Sequence, residues 1–118
     1  ALNKLTLIEA DFLEHDFGRS FDAVVMGEVL EHVEQPVAFL KRIALAAKPG
    51  AFIYVTTAIN APAIDHIYLF DSPDAVAETV AAAGLTVKEQ LLVPYKGMSL
   101  EKSLKFRLPI TIALVLGC

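Results

Sequence analysis

The sequence predicts an α/β fold built on a mostly parallel sheet whose last strand is reversed. Short apolar, β-branched runs alternate with helical patterns along the chain, as expected for strands joined by crossover helices. The run 21–26 is apolar almost throughout, which is typical of a strand covered on both faces. The runs 85–93 and 110–116 have no helical pattern between them, so the final strand is expected to run opposite to its neighbours.

The expected strands are 5–10, 21–26, 51–57, 85–93 and 110–116. Each is short and rich in the β-branched and aromatic residues that strands favour. The segments between them are polar or broken by Asn and Pro. We therefore expect loops at 11–19 and 98–107 and an irregular stretch at 58–70.

Two helices are expected. Pro36 suits the first turn of one helix, and apolar residues at i, i+3 and i+4 spacing follow it until Lys48-Pro49-Gly50 ends the pattern. The second helix begins at Ser72-Pro73-Asp74, which places a capping hydroxyl, a proline and an acid in the first turn. Gly84 is expected to end it.

Composition limits the class of protein. The chain has 118 residues, enough for one domain over 1–118, and 55% of them are hydrophobic with a mean hydropathy of +0.53. The net charge of −4 disfavours nucleic acid as a partner. The apolar run 108–117 is about half the length of a membrane span, so no membrane partner is expected. A single cysteine, Cys118, cannot form an internal disulfide, and we expect a cytoplasmic protein.

Four segments in order resemble a known family: IEADFLE at 8–14, FDAVVMGEVLEHVEQP at 21–36, AKPGAFIYVTT at 47–57, and DHIYLFDSPDAVAETVAAAGLTV at 65–87. Together they resemble the C-terminal half of a class I S-adenosylmethionine-dependent methyltransferase. The similarity is greatest to small-molecule enzymes of the ubiquinone and menaquinone biosynthesis type. The resemblance implies a Rossmann-like sheet, S-adenosyl-L-methionine as co-substrate and a small-molecule acceptor, with a hydroxyl oxygen as the expected methylation site.

One feature of that family is missing from the sequence. The Gly-rich turn that holds the methionine part of the cofactor has no counterpart, because the six glycines are all isolated. We therefore expect a fragment that lacks the N-terminal β-α units, is inactive by itself and binds the cofactor weakly. An exposed edge at 21–26 would favour a homodimer. The alternatives are a non-catalytic binding or assembly module and a dinucleotide enzyme; the absence of G-x-G-x-x-G disfavours the latter.

The resemblance assigns cofactor contacts to two segments. Asp11 and Phe12 follow the first expected strand, where the family places an acid near the adenine amino group and a residue that encloses the ring. Gly27, Glu28 and Val29 follow the second strand and would lie under the methionine end. The alternatives are an Asx-type turn at Asp11 and a simple strand-to-loop turn at Gly27.

Glu28, Glu31 and His32 share one face of a helical turn. With His66 as a fourth ligand, they could hold a divalent ion, as some members of the superfamily do with a Glu-x-x-Glu-His group. Alternatively, Glu31 and His32 form the pocket floor or cap a helix, or the group is a solvated face. A metal-free pocket, with Glu31 contacting substrate, is the expectation.

The irregular stretch 58–70 resembles the family's substrate-side loop. Asp65 and Tyr68 are candidate substrate contacts. His66, with His32, is a candidate catalytic base, because an imidazole ordinarily titrates near pH 6.5 and can take a proton from a hydroxyl at neutral pH. The alternative is that His66 only fixes the loop by hydrogen bonds.

Overall fold

A computed structural model describes residues 4–18 and 20–118. Its elements, in chain order, are β1 (Phe21–Gly27), a short 3-10 helix (Leu30–His32), α1 (Pro36–Ala46), β2 (Ala47–Ile59), α2 (Pro73–Ala82), β3 (Thr86–Val93), α3 (Leu100–Lys105) and β4 (Ile110–Gly117). The four strands form one sheet in the order β1-β2-β4-β3.

Strand directions confirm the predicted mixed sheet. β1 and β2 run parallel, with α1 as the crossover between them, and Met26 pairs with Val55. β4 runs antiparallel to both β2 and β3. The carboxyl ends of β1 and β2 therefore lie at the same edge of the sheet.

The core lies between one face of the sheet and the helices α1 and α2. Alternate residues of β2, among them Ile53 and Val55, are fully buried against Leu40 of α1 and Val76 of α2. On the opposite face, Val25 is 68% and Phe52 52% exposed. The described part of the chain thus has a two-layer architecture in which the second sheet face is partly open.

The predicted strand at 5–10 is wrong. These residues have no regular strand structure, and Leu5, Leu7 and Ile8 are 61%, 86% and 52% exposed. A strand needs a hydrogen-bonded neighbour, and among the described residues β1 pairs only with β2. The β-branched and apolar side chains of 5–10 are therefore not sufficient to form a strand.

Of the predicted helix boundaries, the start of the second helix is confirmed and the end of the first is wrong. The second helix begins as predicted, since the Ser72 hydroxyl accepts a hydrogen bond from the Ala75 backbone N–H at 3.0 Å. The first ends at Ala46, before Lys48-Pro49-Gly50, because β2 already begins at Ala47. The expected loop 98–107 contains the six-residue helix α3, which is too short to show a clear apolar period. No helix in the described ranges is long and apolar enough to cross a membrane.

Candidate active site

The residues that follow β1 and those that follow β2 meet at one edge of the sheet. Parallel strands put their carboxyl ends on the same side, and ligands of open α/β sheets bind there. The turn Glu28–His32 leaves β1, and the loop 60–70 leaves β2. The site is built from these two segments.

The turn after β1 is held by backbone hydrogen bonds to β2. Glu28 has a φ of 55°, in the left-handed region that side-chain-bearing residues rarely adopt. Its N–H donates to the carbonyl and the hydroxyl of Thr56, at 3.0 and 3.2 Å. An added Cβ at Gly27 would lie 3.7 Å from the Thr56 hydroxyl, an ordinary contact. Packing within the chain therefore does not itself require glycine at position 27.

Glu31 joins the turn to both β2 and the loop. Its residue is 3% exposed, and Oε1 accepts a hydrogen bond from the Thr57 hydroxyl at 3.0 Å. Its backbone carbonyl accepts from the N–H groups of Ile67 and Tyr68, at 2.8 and 3.1 Å. The interpretation of Glu31 as part of a solvated face is therefore wrong, because the residue is buried and bonded on both sides.

His32 and His66 lie next to each other, and the Nδ1 atom of each is hydrogen-bonded to a backbone carbonyl. His32 Nδ1 lies 2.7 Å from the carbonyl oxygen of Asp65, and His66 Nδ1 bonds the carbonyl oxygen of Ala61. The ring centroids are 4.8 Å apart and nearly perpendicular. Since a carbonyl only accepts, each neutral ring carries its proton on Nδ1. Each Nε2 is then an acceptor that can take a proton from another group.

Glu28 lies beside this pair and is easier to protonate than an ordinary glutamate. The pKa of its carboxyl is raised from 4.5 to about 7, chiefly by loss of hydration and then by the hydrogen bond and negative charge of Glu31. Positive charge on His32 or His66 acts the other way. Much of the residue is exposed, but its carboxyl lies against that of Glu31. The site therefore holds two adjacent carboxyl groups and two imidazoles.

Three of these side chains could serve as metal ligands. Glu31, His32 and His66 each offer one donor atom, and these atoms all lie within 4.8 Å of one another. Glu28, the remaining member of the four-ligand hypothesis, does not belong to that group. Two donors bonded to one ion at about 2.2 Å each lie at most about 4.4 Å apart. The donor types suit a divalent cation, and a spacing within 4.8 Å is close to that span.

Asp65 and Tyr68, the expected substrate contacts, both lie on the loop at this edge. The Asp65 carboxylate is 3.7 Å from His32 Nδ1. Tyr68 is 39% exposed, and its ring centroid is 4.8 Å from that of Phe70. A cleft of about 370 Å³ at this edge is lined by Leu13, His32, Val33, Glu34, Gln35, Phe39 and Ile67. There is thus room for a small molecule next to His32.

The expected cofactor residues near the start of the chain do not join the histidine cluster. The Asp11 carboxylate accepts from the Leu13 N–H at 3.0 Å, which is the Asx turn given as the alternative. The Phe12 ring stacks on Phe39 with centroids 5.7 Å apart. Val29 packs against the hydrophobic core. Cofactor contact by these residues stays a prediction.

Two threonines at the end of β2 take part in the site and were missed by the sequence analysis. The Thr56 hydroxyl accepts a hydrogen bond from the backbone N–H of Glu28. The Thr57 hydroxyl donates one to the Glu31 carboxylate. A signal for Thr57 was present in the pattern. It is the polar member of a row that otherwise reads Ile53, Val55 and Ile59.

Comparisons with known proteins agree with this fold. A family model described as a methyltransferase domain matches residues 1–53. The ubiquinone biosynthesis O-methyltransferase of Parvibaculum lavamentivorans is 42% identical over 40 residues, covering 34% of this chain and 16% of that protein. The mitochondrial ubiquinone biosynthesis O-methyltransferase of Dictyostelium discoideum is 34% identical over 67 residues, covering 57% and 21%. The chain thus spans only about a fifth or less of these relatives.

Among solved structures, an S-adenosylmethionine-dependent methyltransferase from Clostridium acetobutylicum superposes with a TM-score of 0.63. The match covers 92% of this chain and 63% of that one at 10% identity, so it bears on the fold alone. The matching family model agrees with the order of the strands in the sheet and with the reversed last strand. The family model and the relatives support a class I S-adenosylmethionine-dependent methyltransferase, and the solved structure supports the same fold.

Proposed function

We propose that the protein carrying this chain transfers the methyl group of S-adenosylmethionine to a hydroxyl oxygen of a small molecule. In this proposal the chain supplies the acceptor side of the active site. The observation that carries it is the His32–His66 pair, with both Nδ1 atoms on backbone carbonyls, at the carboxyl edge of two parallel strands. The O-methyltransferase names of the relatives support the same reaction.

The proposed step needs one base. As the acceptor oxygen attacks the sulfonium methyl group, the carbon–oxygen bond forms and the carbon–sulfur bond breaks. The hydroxyl proton passes to Nε2 of His66, and S-adenosylhomocysteine leaves as a neutral thioether. A positioned base is useful because an oxygen that is losing its proton is the stronger nucleophile. His32, whose ring meets that of His66, orients the acceptor or takes the proton in its place.

The remaining candidate residues have supporting roles in this proposal. Glu31, Asp65 and Tyr68 orient the acceptor from the turn and the loop. Cofactor contacts are assigned to Asp11 and Phe12 for the adenine and to Gly27, Glu28 and Val29 for the methionine end, as the family resemblance implies. The pocket is proposed to work without a metal, as expected from the sequence, although Glu31, His32 and His66 offer donor atoms that lie within 4.8 Å of one another.

A non-catalytic binding or assembly module is the second candidate. It is favoured by the open sheet face at Val25 and Phe52 and by the place of β1 at one end of the strand order among the described residues. Edge-to-edge pairing there would give a homodimer. Such a module has no need for two histidines fixed in the same tautomer.

The test is a methyl-transfer assay on the natural polypeptide that carries this chain. Labelled S-adenosylmethionine is offered with a panel of small phenols and catechols. His66→Asn is expected to lower kcat by about a hundredfold or more, the usual contribution of a general base. His15→Asn is the matched control, because His15 packs on Phe17 away from the cluster.

Two outcomes would overturn the proposal. Equal losses in His66→Asn and His15→Asn would remove His66 as the base. Tight cofactor binding with no methylated product from any hydroxylated acceptor would favour the binding module instead.

A further inference from the structure

We infer that Thr57 is a positioning residue for the candidate site, fixing the Glu31 side chain through its buried hydroxyl so that the turn and the loop keep His32 and His66 together. The inference deepens the proposed function and rests on it. The structure brings together three features that carry it: the burial of Thr57, the burial of Glu31, and the bonds from Glu31 to the loop.

Thr57 is chemically unlike its surroundings. It is 0% exposed and stands in a row of β2 whose other members, Ile53, Val55 and Ile59, are also 0% exposed. Its partner across the sheet is Ile112, which is likewise 0% exposed. Valine has nearly the same shape and would fill the position without burying a hydroxyl. The hydroxyl is therefore unfavourable here unless its hydrogen bond is used.

That hydrogen bond goes to a buried carboxylate whose other side-chain partner is the carboxyl of Glu28. Glu31 is 3% exposed, and its Oε1 lies 3.0 Å from the Thr57 hydroxyl. Loss of the Thr57 hydroxyl would leave the buried Oε1 of Glu31 without this donor, which is unfavourable, so the Glu31 side chain is expected to shift toward Glu28 or water. Glu31 is the central residue of the three-residue helix Leu30–His32. A movement of Glu31 would therefore also move His32, its neighbour in the chain.

The main chain of Glu31 extends the effect to the other histidine. Its carbonyl oxygen accepts the N–H groups of Ile67 and Tyr68, which directly follow His66 in the loop. His32 reaches the same loop through the carbonyl of Asp65. The Thr57 hydroxyl on β2 thus fixes the side-chain position of Glu31, and the main-chain carbonyl of Glu31 holds the loop.

The experiment compares Thr57→Val and Thr57→Ser by NMR in the natural polypeptide that carries this chain. Amide hydrogen exchange at Ile67 and Tyr68 is measured relative to core amides of β2, which removes any change in global stability. Thr57→Val is expected to speed exchange at both loop amides by about tenfold or more, as loss of a buried hydrogen-bond partner implies. Thr57→Ser, which keeps the hydroxyl, is expected to stay within about threefold of the parent.

A second readout separates positioning from packing. Long-range nitrogen–proton spectra report which ring nitrogen of His32 and His66 carries the proton. Thr57→Val is expected to mix the tautomers of both rings, and Thr57→Ser to restore the single tautomer. Thr79→Val is the control, because Thr79 is also buried but bonds only within α2, to the carbonyl of Ala75.

Unchanged loop exchange and unchanged tautomers in a folded Thr57→Val chain would overturn the inference. If Thr57→Val does not fold, Glu31→Gln replaces it, since its amide still offers an oxygen to Thr57. Disordered histidine tautomers in Glu31→Gln despite that bond would also contradict the inference. These readouts need no methyl transfer, so they can fail or succeed independently of the proposed reaction.

Discussion

Replacing the isoleucine at the base of the loop should destabilise the chain far more than replacing the isoleucine at its tip. Ile59 is the last residue of β2, is 0% exposed, pairs with Ile110 and forms a bridge to Phe70. Ile64, in the same loop, is 106% exposed. The two substitutions Ile59→Ala and Ile64→Ala therefore remove the same atoms from opposite environments.

The magnitude follows from burial. Truncating a fully buried isoleucine to alanine costs about 2–5 kcal/mol, because the lost transfer free energy is joined by a cavity. With a urea m-value of about 1.5 kcal/mol per molar, a loss of about 3 kcal/mol lowers the unfolding midpoint by about 2 M. Ile64→Ala removes a side chain that already contacts water, so its effect should stay within about 0.5 kcal/mol.

Urea unfolding followed by far-UV circular dichroism measures both values, and an unchanged slope shows that the unfolded state is comparable. Amide exchange of Asn60, whose N–H donates to Phe70 at 2.8 Å, reports the base of the loop directly. Equal midpoints for the two variants would refute the placement of Ile59 in the core beneath the site.

Three further results are expected. Asn60 has a φ of 53°, so Asn60→Ala should destabilise the chain by about 1 kcal/mol, whereas Asn60→Gly should be near neutral by thermal unfolding. The pKa of Glu28 is raised from 4.5 to about 7, so the folded state binds its proton more tightly than the unfolded state does. The free energy of unfolding should therefore fall as pH rises from about 4.5 to about 7, and Glu28→Gln should reduce that fall; an identical pH dependence in the variant would contradict this. A chelator should leave methyl transfer unchanged, because the pocket is proposed to work without a metal; recovery of chelator-lost activity by a divalent ion would establish the metal hypothesis for Glu31, His32 and His66.

Local chemistry was enough to predict much of the fold. Ser72-Pro73 specified the start of α2, because a capping hydroxyl and a fixed φ act within one turn. The reversed last strand followed from a connection without a clear helical pattern. The segment 5–10 could not be predicted in this way, because strand formation depends on a neighbour that local sequence does not reveal.

The sequence identified two histidines that the structure brings together, but it did not reveal the hydrogen bonds around them, and the roles of the site residues stay predictions. The resemblance and the position after β1 and β2 identified His32 and His66, and the structure places their ring centroids 4.8 Å apart. The burial of Glu31 could not be foreseen, because a glutamate in a polar turn is usually exposed. The hydrogen bond between Glu31 and Thr57 could not be foreseen either, since β2 and the turn are distant in sequence and only the sheet brings them together.

The central claim, that methyl transfer occurs at this edge of the sheet, is tested most directly by a crystal structure of the natural polypeptide with S-adenosylhomocysteine. Reacting atoms about 3 Å apart and a base about 3 Å from the acceptor oxygen place the cofactor sulfur within about 8 Å of His66 Nε2. We predict a sulfur position within that distance, facing the cleft lined by His32 and Ile67. A sulfur more than about 15 Å from His66, or on the opposite edge of the sheet, would contradict the claim, because no hydroxyl could then reach both groups.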